Sequence, residues 1–256
     1  MEHIRELLQT CRSGKEVIEK VWTLQEKEQQ KVWIFLWRWW SVRNKANAGE
    51  RMASTAEICS SVTYHLMEFE QLNLKEIRKV SNLREKETWS PPPDDVYKIN
   101  VDASFHADTK KGGWGFIIRD SAGDFLEGGA GNIPRAACPL QAEALAALYS
   151  LQHASHLGMT KVILETDAFQ LGCALKSAEM DRSPYGALFM QVRELMYSQF
   201  RQCNISVCSR ICNKVADCMA TYGACVLTSG SQVFMSQVPS FVFDLVSGDK
   251  PGAGCQ

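Results

Sequence analysis

The three consecutive prolines at positions 91–93 constrain the fold of this chain more than any other feature. Consecutive prolines cannot continue a helix, and they favour an extended, semi-rigid spacer. Before them, apolar residues recur at helical spacing and no strand pattern is found, whereas after them strands and helices alternate. The sequence therefore predicts a helical extension and linker over residues 1–90 and a separate α/β domain over residues 95–225.

The helical extension carries an aromatic stripe, because Trp33, Trp37 and Trp40 recur at three- and four-residue spacing. Such a stripe can stack on nucleic-acid bases, but it is more often a helix face packed in a core. Nothing nearby in the sequence supplies a phosphate-binding groove, so we predict that the stripe is packed. An interaction module built on these tryptophans is the alternative.

Beyond the prolines the pattern is three strands, a helix, a strand, one or two helices, a strand and a helix. The strands are predicted at residues 96–103, 112–119, 125–131, 161–166 and 203–208. Short turns join the first three, and helices lead to the last two. This order favours a mixed five-stranded sheet flanked by helices. Residues 226–256, which contain several Pro and Gly, are predicted to form a loosely structured tail.

Charge and cysteine content narrow the classes of function. The formal net charge is −1, so any binding of a polyanion must depend on local patches or on metal ions. The ten cysteines form no C-x-x-C pair, which favours free thiols in a reducing compartment over a zinc site. The start of the chain has no apolar secretory segment. The most apolar stretch, 32–40, is too short to span a bilayer. We expect an intracellular protein, nuclear or cytoplasmic.

Four acidic residues interrupt stretches that otherwise have the composition of a core. Asp102 and Asp167 each end a strand-like apolar run, while Glu143 and Asp217 lie in predicted helices. A buried, unpaired carboxylate is costly, so such a residue is usually paired or bound to a metal. Four acids on separate elements could therefore converge on divalent cations.

Each acid also has a simpler interpretation. Asp102 could cap a turn with Ser104, and Asp167 precedes a helix, where it could serve as the N-cap. Glu143 falls in a first helical turn, where a carboxylate interacts favourably with the helix dipole. Asp217 could be a solvated helix residue or a partner of Arg210. Taken singly these interpretations are adequate, whereas taken together the acids favour a metal cluster.

Five strings in the second half of the chain carry a family resemblance. They are KINVDASF at 98–105, GWGFIIRD at 113–120 with Gly123, QAEA at 141–144, ETDA at 165–168, and Arg210, Asn213, Ala216 and Asp217. In this order they resemble the plant ribonuclease H-like domains related to non-LTR retrotransposon reverse transcriptases, which have the type-1 ribonuclease H fold. The segment at 36–44 is similar to one that precedes this domain in such elements.

The resemblance implies a metal-dependent endonuclease that hydrolyses the RNA strand of RNA–DNA hybrids. Two Mg²⁺ ions, or Mn²⁺ in their place, would activate water and stabilise the leaving oxygen. Asp102 would bridge both ions, Glu143 and Asp167 would each bind mainly one, and Asp217 would complete the second site. The expected partner is a nucleic-acid hybrid, and the expected state is a monomer.

The same resemblance implies contacts with the substrate, and the sequence departs from the family pattern at one position. Side chains close to the motifs are predicted to contact the substrate, namely Ser104, Asn132, Gln141, Arg210 and Asn213. Many catalytic members carry a histidine just ahead of the arginine in the last motif, but Val207 stands at that position here. The metal ligands remain intact. The departure nevertheless favours an alternative, a weak or inactive retrotransposon-derived domain that binds nucleic acid or a partner.

Overall fold

The computed structural model describes residues 2–49, 51–81 and 88–250. The chain divides into two compact units, Met1–Leu74 and Lys75–Gln256. Residues 82–87 of the predicted linker and residues 251–256 of the predicted tail lie outside the described residues. In the described part of the chain, no helix combines the length and the apolar character that a membrane span requires.

The first unit is helical, as the sequence predicts. Its helices are α1 (Glu2–Gln9), α2 (Gly14–Trp22) and α3 (Glu26–Asn47), and α4 (Thr55–Ser81) begins within it. Ser13 determines where α2 starts, because its hydroxyl oxygen accepts a bond of 3.2 Å from the backbone N–H of Glu16. A small apolar cluster of Ile4, Val21 and Val32 holds the first three helices together.

The predicted packing of the tryptophan stripe is wrong for two of its three residues. Trp33 is half-buried and lies against Trp22, with ring centroids 6.0 Å apart. Trp37 and Trp40, however, are 50% and 60% exposed. The spacing correctly places the three side chains on one face of α3, but α1 and α2 contain only 8 and 9 residues against its 22. Helices so short cannot cover a helix of that length.

The second unit contains a mixed sheet of six strands in the order β5-β4-β1-β2-β3-β6. The strands are β1 (Tyr97–His106), β2 (Lys111–Arg119), β3 (Phe125–Ile133), β4 (Lys161–Thr166), β5 (Gln202–Val207) and β6 (Ser231–Met235). The first three are antiparallel neighbours, and β4 and β5 extend the sheet in parallel from β1. The predicted fold class is confirmed, with one strand more than predicted.

The additional strand corrects the prediction of a loosely structured tail. Residues 231–235 form β6, which pairs antiparallel with β3, and residues 243–249 form helix α9 (Phe243–Asp249). The buried side chains of Val242 and Val246 join the core beneath β2. The pattern of β6 is too short to recognise in the sequence, and it forms because the edge of β3 offers unpaired backbone groups.

Helices cover both faces of the sheet. They are α5 (Pro139–His156), α6 (Phe169–Lys176), α7 (Gly186–Gln199) and α8 (Lys214–Cys225). Side chains of β2 alternate, so that Trp114 and Phe116 contact α5 while Ile117 contacts α8. A Cβ atom added at Gly115 would lie 2.2 Å from the backbone nitrogen of Ala220. Glycine is therefore required there for the close approach of α8.

Candidate active site

The carboxyl groups of Asp102 and Glu143 form the centre of the candidate site. Asp102 lies in β1, is 6% exposed, and accepts a hydrogen bond of 2.8 Å from the backbone N–H of Ala103. Burial and the charge of Asp167 raise the pKa of Asp102 to about 7. Glu143 comes from α5, where burial and the charge of Asp102 raise its pKa well above the usual range. Both carboxyl groups are therefore harder to ionise than an isolated carboxyl group.

Two further carboxylates act on this pair. Asp167 directly follows β4, and its negative charge raises the pKa of both Asp102 and Glu143. Asp217 lies in the first turn of α8, is exposed to solvent, and contributes to the raised pKa of Asp102. Electrostatic interactions therefore link the four acids that the sequence singled out, which come from β1, from α5, from the residue after β4 and from α8.

The simpler interpretations of these acids fit only in part. Asp167 does not cap α6, because the backbone N–H of Ala168 instead bonds the hydroxyl of Thr166 at 3.0 Å. Asp102 bonds its neighbouring backbone rather than Ser104. Exposed Asp217 agrees with a solvated helix residue, and the side chain of Arg210 lies 3.6 Å from Asp167.

The donor set suits a divalent cation, although the acids do not meet at a single point. Among the described residues, no three His, Cys, Asp or Glu side chains converge closely enough to hold one metal ion. One oxygen of Glu143, Oε2, is buried and has no hydrogen-bond partner among the described residues. A buried acceptor of this kind, beside acids with raised pKa values, fits a hard cation that prefers oxygen ligands.

A buried polar network adjoins the acids on the same side of the sheet. Because side chains alternate along a strand, Lys98, Asn100 and Asp102 of β1 share one face. The side-chain amide of Asn100 donates to Glu165 at 2.9 Å, and Lys98 forms an ion pair of 3.1 Å with Glu165. Lys98, Asn100 and Glu165 are at most 6% exposed. The two charges and the amide dipole are therefore satisfied inside the protein.

The network reaches segments on either side of the predicted domain. The guanidinium of Arg119 lies 3.5 Å from the ring centroid of Trp89, just ahead of the prolines, and donates to Asn100 at 2.8 Å. It also pairs with Asp249, at the end of α9, at 2.8 Å. Trp89 and Asp249 lie outside the predicted domain of 95–225, yet both complete its buried interactions.

The five predicted substrate-binding residues fall into two groups. Ser104 and Asn132 flank Gly113 in register across β1, β2 and β3, and both are partly exposed. The oxygen of Gln141 accepts from the backbone of Ala137 at 2.7 Å and so stabilises the start of α5.

The other two substrate-binding candidates lie in the last motif and differ sharply in exposure. The side chain of Arg210 is 84% exposed and available to a ligand. Asn213 is 1% exposed and bonded entirely within the protein. The side chain of Asn213 therefore has its partners inside the protein, and its predicted contact with the substrate stays a prediction.

The position of the missing histidine is the end of a strand. Val207 is the last residue of β5, opposite Thr166 of β4. A Cβ atom added at Gly172 would lie 2.4 Å from a methyl carbon of Val207, so this side chain packs against α6. An apolar, inward-facing residue therefore occupies the place where the family resemblance would set a histidine.

The residues of the buried network were not recognised from the sequence. Lys98, Asn100, Arg119 and Glu165 stand within predicted strands and belong to no predicted site. A signal was available, because polar residues recur with a period of two inside strands whose two faces are both covered. Such residues must find partners inside the protein. Their partners come from distant positions, so the sequence could not supply them.

The family comparison matches a segment of the second unit. Residues 100–223 match a family model described as reverse transcriptase-like. The chain is similar to ribonuclease H1 of the halophilic archaeon Halobacterium salinarum NRC-1, at 21% identity over 50% of this chain and 96% of that one, with a TM-score of 0.45. It is also similar to the N-terminal RNase H domain of a Mycobacterium tuberculosis protein, at 21% identity over 50% and 92%, with a TM-score of 0.44.

A third similar structure is the LC11 ribonuclease H1 isolated from compost, in complex with an RNA/DNA hybrid. Its identity is 16% over 50% of this chain and 96% of that one, with a TM-score of 0.47. No curated protein matches the chain.

The family match coincides with the domain that carries the acids. It begins in β1, two residues before Asp102, and ends in α8, six residues after Asp217. Within it, three antiparallel strands are followed by two parallel strands reached through helices. Residues 100–223 of this chain match the model of the reverse transcriptase-like family, and the domain that contains them is a mixed sheet flanked by helices, as expected for the predicted ribonuclease H-like fold.

Proposed function

We propose that the second unit is a metal-dependent endonuclease that hydrolyses the RNA strand of RNA–DNA hybrids. The observation that carries the proposal is the buried pair of Asp102 and Glu143, with Asp167 and Asp217 acting on it electrostatically. Four carboxyl groups set near one another have little structural value by themselves, because burial of like charges destabilises a fold. The match of residues 100–223 to the reverse transcriptase-like family model supports the same activity.

The four acids would hold two divalent cations, Mg²⁺ or Mn²⁺. When bound, these ions supply the activation of the attacking water and the stabilisation of the leaving oxygen. Asp102 contributes the central carboxylate, since all three of the other acids act on it. Glu143 contributes, from α5, the side-chain oxygen Oε2, which has no hydrogen-bond partner among the described residues. Both carboxyl groups must be ionised to bind a cation, so binding strengthens as the pH rises.

Polar residues around the acids would position the hybrid. The exposed guanidinium of Arg210, beside Asp167, can contact a phosphate. Ser104 and Asn132 lie in register across three strands and present partly exposed polar groups. Such groups can hydrogen-bond phosphate oxygens and 2′-hydroxyls, which distinguish RNA from DNA. With a net charge of −1, the protein depends on these contacts rather than on overall attraction.

Cleavage of a labelled RNA–DNA hybrid in Mg²⁺ or Mn²⁺ tests the proposal. The full-length protein should cut the RNA strand, and both Asp102→Asn and Glu143→Gln should abolish cutting while the protein stays folded. Glu179→Gln is the matched control, because Glu179 is an exposed acid on the loop after α6. Wild-type protein that leaves the hybrid intact at every pH and metal concentration would contradict the proposal, as would equal cleavage by all variants.

A nucleic-acid-binding domain without appreciable activity is the second candidate. Three observations favour it: the acids in the described residues are not converged, Asp217 is exposed, and Val207 replaces the family histidine. This candidate predicts that the protein binds the hybrid equally well in EDTA and in Mg²⁺, without cutting it. Metal-dependent cleavage by wild type and not by Asp102→Asn would exclude it.

We also propose that the protein is monomeric and that it is located inside the cell, in the nucleus or the cytoplasm. The cysteines in the described part of the chain form no disulfide bond, which suits a reducing compartment. Sedimentation of the purified protein should give a mass near 28.7 kDa, that of one chain. A mass of twice that value at working concentration would contradict the monomer.

A further inference from the structure

The side chain of Asn213 connects the acidic site with the buried network. Its nitrogen Nδ2 donates to the carboxylate oxygen Oδ1 of Asp167 at 2.9 Å and to the backbone carbonyl of Val101 at 3.0 Å. Its oxygen Oδ1 accepts from the side-chain amide of Asn100 at 3.3 Å. Every polar atom of this 1%-exposed amide therefore has a partner, and the arrangement holds only in one of its two orientations.

The orientation of the Asn100 side-chain amide is determined by Trp89 and Arg119. Its oxygen accepts from the indole N–H of Trp89 at 3.0 Å and from the guanidinium of Arg119 at 2.8 Å. Both groups are donors only, so the oxygen of Asn100 must face them. The nitrogen of Asn100 must then face the carboxylate of Glu165 and the oxygen of Asn213. A flip would set donors against donors and an oxygen against a carboxylate.

The orientation of the first amide thus determines that of the second. Because the nitrogen of Asn100 faces Asn213, the oxygen of Asn213 must accept, and its nitrogen must point at Asp167. Asp167 then has one oxygen held by a neutral donor, while its other oxygen, Oδ2, lies 3.6 Å from the exposed Arg210. A carboxylate held in this way presents one oxygen in a constant direction.

We propose that Asn213 is a positioning residue for Asp167, and that Trp89 and Arg119 set its orientation through Asn100. We call the chain formed by Trp89, Arg119, Asn100 and Asn213 the amide relay. The inference rests on the proposed function, because its value lies in presenting Asp167 to a cation or substrate. It assigns a role in the site to Trp89, which precedes the prolines, and to Asp249 of α9, whose carboxylate neutralises Arg119.

The kinetic test is hybrid cleavage by Asn213→Ala at increasing Mn²⁺ concentration. Loss of the donor to Asp167 should lower kcat and raise the Mn²⁺ concentration for half-maximal activity by roughly 10–100-fold, as for other partners of metal ligands. KM for the hybrid should change little, since Asn213 is buried away from solvent. Wild-type kcat and metal requirement in folded Asn213→Ala would overturn the proposal.

A second variant probes the relay at a distance. Trp89→Phe keeps a ring beside Arg119 but removes the N–H that Asn100 accepts. It should shift kcat and the Mn²⁺ requirement in the same direction as Asn213→Ala, by a smaller factor. Arg193→Met is the control, since Arg193 bonds Ala174, Ser177 and Asp181 away from the acids. Arg193→Met should lower stability without moving the metal requirement. Equal effects of all three variants would leave only a structural role and would overturn the relay.

Nuclear magnetic resonance separates failure of the relay from failure of the proposed function. In the metal-free wild-type protein, the two side-chain amide protons of Asn213 should exchange slowly with solvent, because both are hydrogen-bonded and buried. In Trp89→Phe they should exchange faster, and in Arg193→Met they should not. This holds whether or not the protein cuts a hybrid. Fast exchange of these protons in wild type would overturn the relay even if cleavage were robust.

Discussion

The two compact units of this chain place their tryptophans in opposite environments. In the first unit Trp40 is 60% exposed on α3, and the core cluster is built on three buried residues. In the second unit Trp89 is 4% exposed, with its ring on Arg119 and its N–H bonded to Asn100. The environment of a tryptophan therefore depends on the elements that cover it: the covered sheet offers Trp89 apolar contacts and an acceptor, whereas the helices of the first unit leave Trp40 largely exposed.

We expect the largest difference in stability between substitutions at a glycine of the second unit and at a glycine of the first. Gly115→Ala should destabilise the protein by more than about 4 kcal/mol, because the new Cβ would meet the backbone of α8, which cannot move aside locally. Urea unfolding followed by the circular dichroism of the sheet measures this. Gly14→Ala is the control, because nothing lies within 4 Å of its added Cβ. It should be neutral or stabilise α2 by about 0.5 kcal/mol. Similar losses in both variants would erase the contrast.

We expect the next largest difference in stability between substitutions of Trp89 and of Trp40. Trp89→Ala should lower the free energy of unfolding by about 3 kcal/mol, through the cavity and through the donor that Asn100 loses. Trp40→Ala should change it by no more than about 0.5 kcal/mol. Chemical denaturation of both variants at one pH checks the pair. A loss for Trp40→Ala as large as that for Trp89→Ala would show that the stripe is covered in solution.

We expect a smaller difference in stability between loss of a buried ion pair in the second unit and loss of an exposed ion pair in the first. Asp249→Asn should cost about 2 kcal/mol, because it leaves the guanidinium of Arg119 without its carboxylate in a site that is 1% exposed. Water reaches Asp249, whose side chain is 22% exposed, and this moderates the loss. In the first unit, Glu19→Gln breaks the exposed pair with Lys15 and should change stability by less than about 0.5 kcal/mol. Thermal melts of both variants would show whether the order is reversed.

The smallest effect should appear with pH in the metal-free protein. Below pH about 4 the folded and unfolded chains both carry protonated Asp102, but up to pH about 7 only the unfolded chain releases the proton. The free energy of unfolding should therefore fall as the pH rises through this window. The net loss should be roughly 1 kcal/mol, seen as about 2–4 °C in Tm, because other buried carboxylates gain their ion pairs over the same range.

The control for the pH effect is Asp102→Asn, which removes the carboxyl group whose pKa is raised. Its stability in EDTA should vary less with pH than that of wild type, and it should exceed wild type at pH 8. Adding Mg²⁺ at pH 8 should raise the Tm of wild type and not that of Asp102→Asn. A wild-type Tm that rises steadily from pH 4 to pH 7 would contradict the raised pKa of Asp102.

Much of the second unit was predictable because its signals are local. Hydrophobic alternation and turn residues located β1 to β5 within a few residues of their observed bounds. The four acids were recognisable because each interrupts an apolar stretch. By contrast β6 and α9 were missed, since a short strand forms only where an edge such as that of β3 is free. The tryptophan stripe misled because periodicity marks a face without naming what covers it.

The sequence alone determined the order of strands and helices from β1 to α8, the break at the prolines and the identity of the four acids. These follow from backbone propensity and side-chain patterning, which act over a few neighbouring residues. Only the tertiary structure decided that Asn213 is buried and that Trp89 and Asp249 contact the core of the second unit. It also decided that Asp102 and Glu143 are buried near each other, which raises the pKa of both. Hydrogen bonds and electrostatic coupling depend on distances in space, and residues 100 and 213 meet only after the sheet and α8 have packed.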